Sequence, residues 1–482
     1  MGVGIATENA PSRWSGTVAA ADRVRLMPSW HRSINIFASA LLGMVLASAA
    51  SAFVFPSAVA RPAGPAYSGY ICRWKYDQFR RARTETSLTT KSSGRAARRP
   101  LWLRSEAPAG NAIHVYHSPI FRGHWPYGDD LADNPQHPEC PQRVVKIEQA
   151  LKGSTLPLHW HEVQRFGDSF ATDCQRLLAL AQKHGVEALD GATEEPALVR
   201  ALRSSCAVHF VDHVAEIYRL VHVRQAARID MDTYLSADTF EVALTAVRAV
   251  LEATEMALSD PGRLAFVISR PPGHHATRAT AMGFCLLSNV AIGAHNALTQ
   301  SVQGAVPARV SKVGILDFDV HHGNGTEDCV RKEERIRFVS LHEHPQYPMT
   351  GGKADEHGPM HNIWNYPLPA GTSWENGYAE AYAHALNHLC TGTNRADAES
   401  DLDLVLVSAG YDALGSDPLA GLQLQPSDYS ELAARLVYRL KPSTPVVFCL
   451  EGGYDLGAIG EAVSQTLQGA FRARSEQLSA AA

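Results

Sequence analysis

The chain has 482 residues, 45% of them hydrophobic and 19% charged, a balance that suits a large globular core and excludes a disordered chain. A formal net charge of -5 gives no overall basic character, so the charge balance does not point to nucleic acid. Eight cysteines without a CxxC pair exclude a dense disulfide framework and leave reduced thiols as the default, while 22 histidines leave room for metal or acid–base chemistry.

Residues 1 to 110 differ from the rest. Arg13, Arg23, Arg25 and Arg32 precede an uncharged run from Ser33 to Ala60, in which Ala50-Ser51-Ala52 stands before Phe53. A basic leader, an apolar stretch and small residues of A-x-A type read as a secretory signal. The competing reading is a single membrane anchor, which needs roughly 20 apolar residues, but the second half of the run is mostly Ala and Ser. From Arg61 to Arg104 the segment is rich in Arg and Ser, opposed only by Asp77 and Glu85. That is the composition of an organellar transit peptide or of a basic arm for nucleic acid. Signal and transit segments in tandem resemble the bipartite presequences of complex plastids, in which a Phe follows the cleavage point. A plastid is therefore the expected destination, with the mitochondrion, or the cytoplasm and nucleus, as alternatives. Nothing after Ser105 reads as a membrane span, so no stable membrane insertion of the mature chain is expected.

One domain is expected over residues 111 to 475, with a short tail over 476 to 482. Ala112 to Tyr116 reads as a first strand. After His137-Pro138-Glu139-Cys140-Pro141-Gln142-Arg143 a helix is expected from Val144 to about Leu151. Asp238 and Thr239 are placed to cap a second helix that runs to about Leu258. Apolar strands are expected at Leu264 to Ser269, Val313 to Leu316, Arg337 to Leu341, Leu404 to Ser408 and Val446 to Leu450. Helical patterns at Tyr378 to Leu389 and Ser427 to Leu440 separate the later ones. Alternating strands and helices predict an α/β fold in three layers, with a mainly parallel central sheet and helices on both faces.

Several of these strands run into polar clusters. Ser269 leads into Arg270-Pro271-Pro272-Gly273-His274-His275. Leu316 leads into Asp317, Asp319 and His321, which can share one face while the chain stays extended. Ser408 leads into Ala409-Gly410-Tyr411-Asp412, and Leu450 into Glu451-Gly452-Gly453-Tyr454. Carboxylates and an imidazole at a strand end are what a divalent metal of zinc's type takes, and they are costly in a core unless bound or paired. Ligand sites of open α/β sheets lie at the carboxyl ends of the strands. Each cluster has a plain alternative, such as a helix cap at Asp412 or a turn at Gly452-Gly453. Their convergence makes a single site the stronger reading.

The stretches Arg270 to Ala276, Met282 to Asn289, Leu316 to Thr326, Ser340 to His342, Ser408 to Asp412 and Glu451 to Tyr454 resemble the zinc-dependent histone deacetylase family, over roughly residues 111 to 470. Asn324 after His-His-Gly looks like the class II and bacterial-like branch, and the implied fold is that of arginases and deacetylases. The resemblance implies one Zn2+ per chain held by Asp319, His321 and Asp412. It makes His275 the general base and acid, with His274 as its electrostatic partner. Asp317 and Asn324 would orient the two imidazoles, and Tyr454 would donate to the oxyanion. It implies Gly283, Phe284 and Tyr347 along an acyl-lysine tunnel, Leu419 and Asp232 at its rim, and Arg143 near its floor. It further implies a monovalent cation such as K+ near Asp317, Asp319, His321, Ser340 and Leu341.

The expected reaction is hydrolysis of N6-acetyl-lysine side chains, so the expected partner is an acetylated protein. Direct nucleic-acid binding is not expected, and oligomeric state is left open. Acetylated polyamines or other small amides are the alternative substrates; Leu419 argues against a polyamine, whose second cation wants a carboxylate there. An arginase-type enzyme with two metals would need further Asp and His ligands, and a silent binding module would not need every group the chemistry uses. Tyr347 stands where the family usually has Phe, Tyr347-Pro348-Met349-Thr350 replaces a Phe-Pro-Gly-Thr type of loop, and Cys140 stands where Arg is frequent. These departures bear on the tunnel and its entry.

Overall fold

The computed structural model describes residues 112–125, 137–192, 195–302 and 310–481. The presequence expected over residues 1 to 110 lies outside them. Among the described residues, eight strands form one sheet: β1 (Ile113–His117), β2 (Leu158–Glu162), β3 (Leu264–Val267), β4 (Val313–Asp317), β5 (Ile336–Glu343), β6 (Ile363–Leu368), β7 (Leu404–Ala409) and β8 (Val446–Leu450). Their order is β2-β1-β3-β8-β7-β4-β5-β6, and every pairing is parallel. Ten α-helices accompany them: α1 (Gln142–Lys152), α2 (Phe170–His184), α3 (Pro196–Val208), α4 (Val211–His222), α5 (Thr239–Ser259), α6 (Asn289–Val302), α7 (Asn324–Val330), α8 (Ala379–Thr391), α9 (Pro426–Arg439) and α10 (Ile459–Ala481).

The inner strands are largely apolar on both faces because both faces are covered. In β8, Val447 and Cys449 join Val267, Ile315 and Leu406 in a core shared with α2 to α7. Val446, Phe448 and Leu450 point the other way, joining Phe266, Leu316 and Val407 against α1, α8, α9 and α10. This period of two, read across parallel strands, gives the three expected layers. No helix of the described residues is long and apolar enough to cross a membrane.

Three local expectations change. The two outermost strands, β2 and β6, were not anticipated. Leu158-His159-Trp160-His161-Glu162 alternates with polar groups, and β6 carries Pro367. An outermost strand tolerates both, since proline's missing N–H is not needed on its open side. Asp238 does not cap α5: it adopts helical backbone angles and its side chain makes no capping bond. The Thr239 hydroxyl instead accepts the Ser236 N–H at 2.7 Å, so the chain turns one step earlier. The expected tail is helical to Ala481, because Gln477 donates to the Val437 and Leu440 carbonyls, both at 2.9 Å.

Strand order is what positions the site. β3, β8, β7 and β4 are consecutive neighbours. Val267 lies opposite Cys449, Leu450 opposite Ala409, and Ser408 opposite Asp317. Four polar segments far apart in sequence therefore leave the same edge of the sheet side by side.

Candidate active site

Asp319, His321 and Asp412 are buried and bring one donor atom each within 4.8 Å of one another. His321 Nδ1 lies 3.2 Å from Asp319 Oδ1 and 3.2 Å from Asp412 Oδ2. The other carboxylate oxygens are held by the backbone: Gly452 N–H donates to Asp319 Oδ2 at 2.8 Å, and Val320 N–H to Asp412 Oδ1 at 2.9 Å. The His321 N–H also donates to Asp319 Oδ1, at 2.9 Å. Residue 452 has to be glycine, since a Cβ there would strike the carboxylates of both Asp412 and Asp319. Burial disfavours charge on His321, yet its bonds to Asp319 and Asp412 hold its imidazole up at about 10. Two carboxylates gripping a proton on an imidazole form a strongly cation-seeking pocket. Two oxygens and one nitrogen in this arrangement fit a zinc ion and leave a further position for a small ligand.

The two histidines beside this trio are set in opposite states. His274 Nδ1 faces Asp317 Oδ2 at 3.1 Å, and its Nε2 faces Asp319 Oδ1 at 3.7 Å. Burial works against its charge, but Asp319 and Asp317 hold it well above the ordinary imidazole value. His275 Nδ1 donates to Asn324 Oδ1 at 2.7 Å. The Asn324 amide is turned so that its NH2 meets Met282 Sδ at 3.6 Å, which leaves the carbonyl for the imidazole. Burial, then the neighbouring His274 and His321, push His275 well below the ordinary value. One imidazole is thus charged and its neighbour neutral, with ring centroids 4.0 Å apart. Environments that split two titratable groups in this way set up acid–base chemistry.

Tyr454 leaves β8 toward the same place. Burial pushes its phenol well above the ordinary range, so the hydroxyl keeps its proton and remains a donor. Its N–H is held by Asp417 Oδ2 at 2.7 Å, while the Leu419 N–H is held by Asp417 Oδ1 at 2.9 Å. The Arg143 guanidinium lies 4.9 Å from the centre of the Tyr454 ring and donates to the carbonyls of Gly453, at 2.7 Å, and Glu451.

Two aromatic rings stand above these groups. Phe284 meets Tyr454 edge-on at 5.8 Å, and Tyr347 meets His275 at 5.1 Å and His321 at 6.2 Å. Gly283 has φ +55°, and a Cβ there would come within 2.6 Å of the His275 ring and 2.9 Å of Tyr347. Thr233 Oγ1 accepts the Phe284 N–H at 3.2 Å, which brings neighbouring, half-buried Asp232 to the same wall. Burial and the adjacent Asp230 push the Asp232 carboxyl up to about 6. Leu419 is half-buried, and its carbonyl accepts Gln346 Nε2 at 3.4 Å, next to Tyr347. Asp317 is the register partner of Ser340, Leu341 is buried beyond it, and the Ser340 hydroxyl sits 2.9 Å from His342 Nδ1.

Residues 137–470 match the family model described as the histone deacetylase domain. The chain belongs to the histone deacetylase family. The uncharacterized protein slr0245 of Synechocystis sp. is 37% identical over 337 residues, covering 69% of this chain and 93% of that protein. Arabidopsis thaliana "Histone deacetylase 14, chloroplastic" is 29% identical over 443 residues, 87% of this chain and 90% of that one. Pseudomonas aeruginosa "Acetylpolyamine amidohydrolase 1" is 32% identical over 245 residues, 50% of this chain and 65% of that one. Of some other curated relatives the match spans about half the length. The crystal structure of the HDA15 HD domain aligns with a TM-score of 0.57 at 24% identity, covering 75% of this chain and 90% of that one, a likeness of fold. The chain is thus a hydrolase of the histone deacetylase family whose relatives include both named histone deacetylases and an acetylpolyamine amidohydrolase.

Three buried acids of this deacetylase-family hydrolase went unassigned in the sequence. Glu451 Oε2 accepts the N–H groups of Gly273, at 2.6 Å, and His274, at 3.2 Å, so it holds the turn that presents the dyad. Asp417 ties Tyr454 to Leu419, as above. Glu139 lies between Arg270, at 2.5 Å, and Arg143, at 3.1 Å, all three buried. The only signal for these was their position inside the polar motifs or just beyond them; Arg270, Tyr454 and the Gly273–His274 turn, which they hold, lie far away in sequence. His274, Cys285 and Glu451 also bring donor atoms within 4.8 Å. There, however, burial drives the thiol well above its ordinary range, and Glu451 is already committed to the dyad turn.

Glu139 supports a stability prediction. Glu139→Ala leaves two buried guanidiniums without their carboxylate, and breaking such a pair costs about 3–5 kcal/mol. Denaturant unfolding should register that loss; a change under about 1 kcal/mol would contradict the assignment.

Proposed function

We propose that this chain is a zinc-dependent hydrolase that removes acetyl groups from N6-acetyl-lysine side chains of proteins. The reading rests above all on one observation: the buried trio of Asp319, His321 and Asp412 lies beside the His274–His275 pair, with the rings of Tyr347, Phe284 and Tyr454 around it. Asp319, His321 and Asp412 would hold the metal. Zinc, when bound, polarises the amide carbonyl and acidifies its water.

The remaining steps belong to side chains. Neutral His275 takes the proton of the attacking water and passes it to the departing lysine amine, its imidazole aimed by Asn324. His274, charged and anchored by Asp317, lowers the energy of negative charge that develops nearby. Tyr454 donates its hydroxyl to the oxyanion. Phe284 and Tyr347 line the methylene stem of a lysine whose charge acylation has removed. Gly283 leaves room between them, and Asp232 would accept the substrate backbone at the rim. Arg143 adds positive charge near the floor, where acetate forms. Asp317, Asp319, His321, Ser340 and Leu341 would surround a monovalent cation such as K+.

Leu419 at the rim supplies no carboxylate for a second cation, which supports the lysine reading. A polyamine reading draws on Asp230 and Asp232 at the same mouth and on the amidohydrolase relative. Comparing kcat/KM for an acetyl-lysine peptide and an acetylated diamine separates the two. The lysine reading expects the peptide to win; turnover of the diamine alone would reverse the ranking.

A pH prediction follows from the dyad. Only neutral His275 can accept a proton, and its pKa lies below 6.5. The acid limb of kcat/KM should therefore fall below pH 6.5, since activity is lost only where His275 gains a proton. A limb at or above 6.5 would contradict its role. For location we propose a plastid, supported by the composition of residues 1 to 110 and by the chloroplastic relative. A fluorescent fusion of residues 1 to 110 should enter the organelle, and a purely nuclear signal would contradict that.

A further inference from the structure

Met349 combines an unfavourable backbone conformation with an exposed side chain. Its φ is +65°, a left-handed conformation that costs a residue with a Cβ and suits glycine. Its side chain is 70% exposed, so packing returns little for that cost. Its backbone is held from both sides: its N–H donates to the Gln346 carbonyl at 2.8 Å, and the next residue, Thr350, is bonded through Oγ1 to His322 Nδ1 at 2.7 Å. The chain would therefore turn this way with glycine in place, and the methionine is surplus to the turn.

Its location gives the surplus a use. Met349 lies two residues beyond Tyr347, whose ring stands over His275 and His321. A second segment, Asp230 to Thr233, holds the Phe284 N–H through Thr233. Gly283, next to Phe284, packs so closely on the Tyr347 ring that a Cβ there would come within 2.9 Å of it, which brings both segments to the Gly283–Phe284 turn. The second segment carries Met231, 86% exposed and the most exposed large apolar side chain among the described residues. Two exposed methionines thus occupy the two segments that meet the Gly283–Phe284 turn beside His275. Residues held in sparsely populated backbone regions cluster at active sites and ligand clamps. Methionine, unbranched and polarizable, suits an apolar partner of variable shape.

We propose that Met349, together with Met231, forms an apolar landing surface for the residue next to the acyl-lysine, making this hydrolase selective for acyl-lysines flanked by a large apolar side chain. The proposal rests on the acyl-lysine reading and adds a specificity-determining residue to it. A single apolar side chain half-covered at such a surface changes kcat/KM by about tenfold.

The test uses the full zinc-loaded chain, two acetyl-lysine peptides that differ only in Leu or Ser beside the acetylated residue, and a single acetyl-lysine amide without neighbours. The unsubstituted protein should prefer the Leu peptide by about tenfold, chiefly through KM. Met349→Gly, which the left-handed backbone accommodates, should bring the two peptides within about twofold by raising KM for the Leu peptide, with kcat little moved. Met231→Ser should narrow the gap in the same direction. Equal turnover of the two peptides by the unsubstituted protein, or a preference that survives both substitutions, overturns the proposal while leaving acyl-lysine hydrolysis in place. Failure on both peptides and on the amide overturns the acyl-lysine reading, and this proposal with it.

Discussion

Asp412→Ala should lose metal and turnover together. Asp412 supplies Oδ2 to the trio and, through Oδ1, holds the Val320 N–H between Asp319 and His321. Removing it takes away one donor and loosens the strand end that carries the other two. A catalytic metal contributes several kcal/mol of charge stabilisation, so the loss in kcat should be on the order of 10³-fold or more. Metal content measured on the purified variant should fall in parallel. A variant that keeps both full metal and near-normal turnover would remove Asp412 from the site.

Tyr454→Phe separates holding the metal from using it. The ring keeps its packing against Phe284 and its place over Arg143, and its N–H remains bonded to Asp417. Fold and metal content should be unchanged. In the proposed mechanism the lost hydroxyl donates to developing negative charge, and removing one such donor costs about 10²–10³ in kcat. KM should move little, because the bond strengthens only as the oxyanion forms. Near-normal kcat in this variant would end the oxyanion assignment.

The strands that build the site were legible because parallel strands covered on both faces are continuous apolar runs. Val446 to Leu450 is read to the residue, and Leu404 to Ala409 to within one. The polar clusters were legible because carboxylates and imidazoles at the ends of such runs are costly to bury unless they pair or bind a metal; the choice of Asp319, His321 and Asp412 as ligands and of His274 and His275 as a dyad came from the resemblance to the deacetylase family. Strand order was not: nothing local says that β8 lies between β3 and β7, although that order brings Glu451 to the Gly273–His274 turn. The supporting acids were missed for the same reason. Glu139, Asp417 and Glu451 act on groups far from them in sequence, and a chain pattern carries no distance. Of β2 and β6, the first hid behind its histidines and the second behind Pro367, since outermost strands need neither a full apolar run nor every N–H. α5 shows the opposite difficulty: nearly all its residues are buried, so its apolar spacing marks a helix without saying which face meets the sheet.

The central claim is that this chain hydrolyses acyl-lysine with a metal held by Asp319, His321 and Asp412. The most direct test is acetate release from an acetyl-lysine peptide by the full chain, measured as isolated, after chelation and after zinc is restored, with bound metal counted at each stage. About one zinc per chain is expected, with loss of acetate release on chelation and recovery on adding zinc back. Acetate release that persists after the metal has been removed would contradict it.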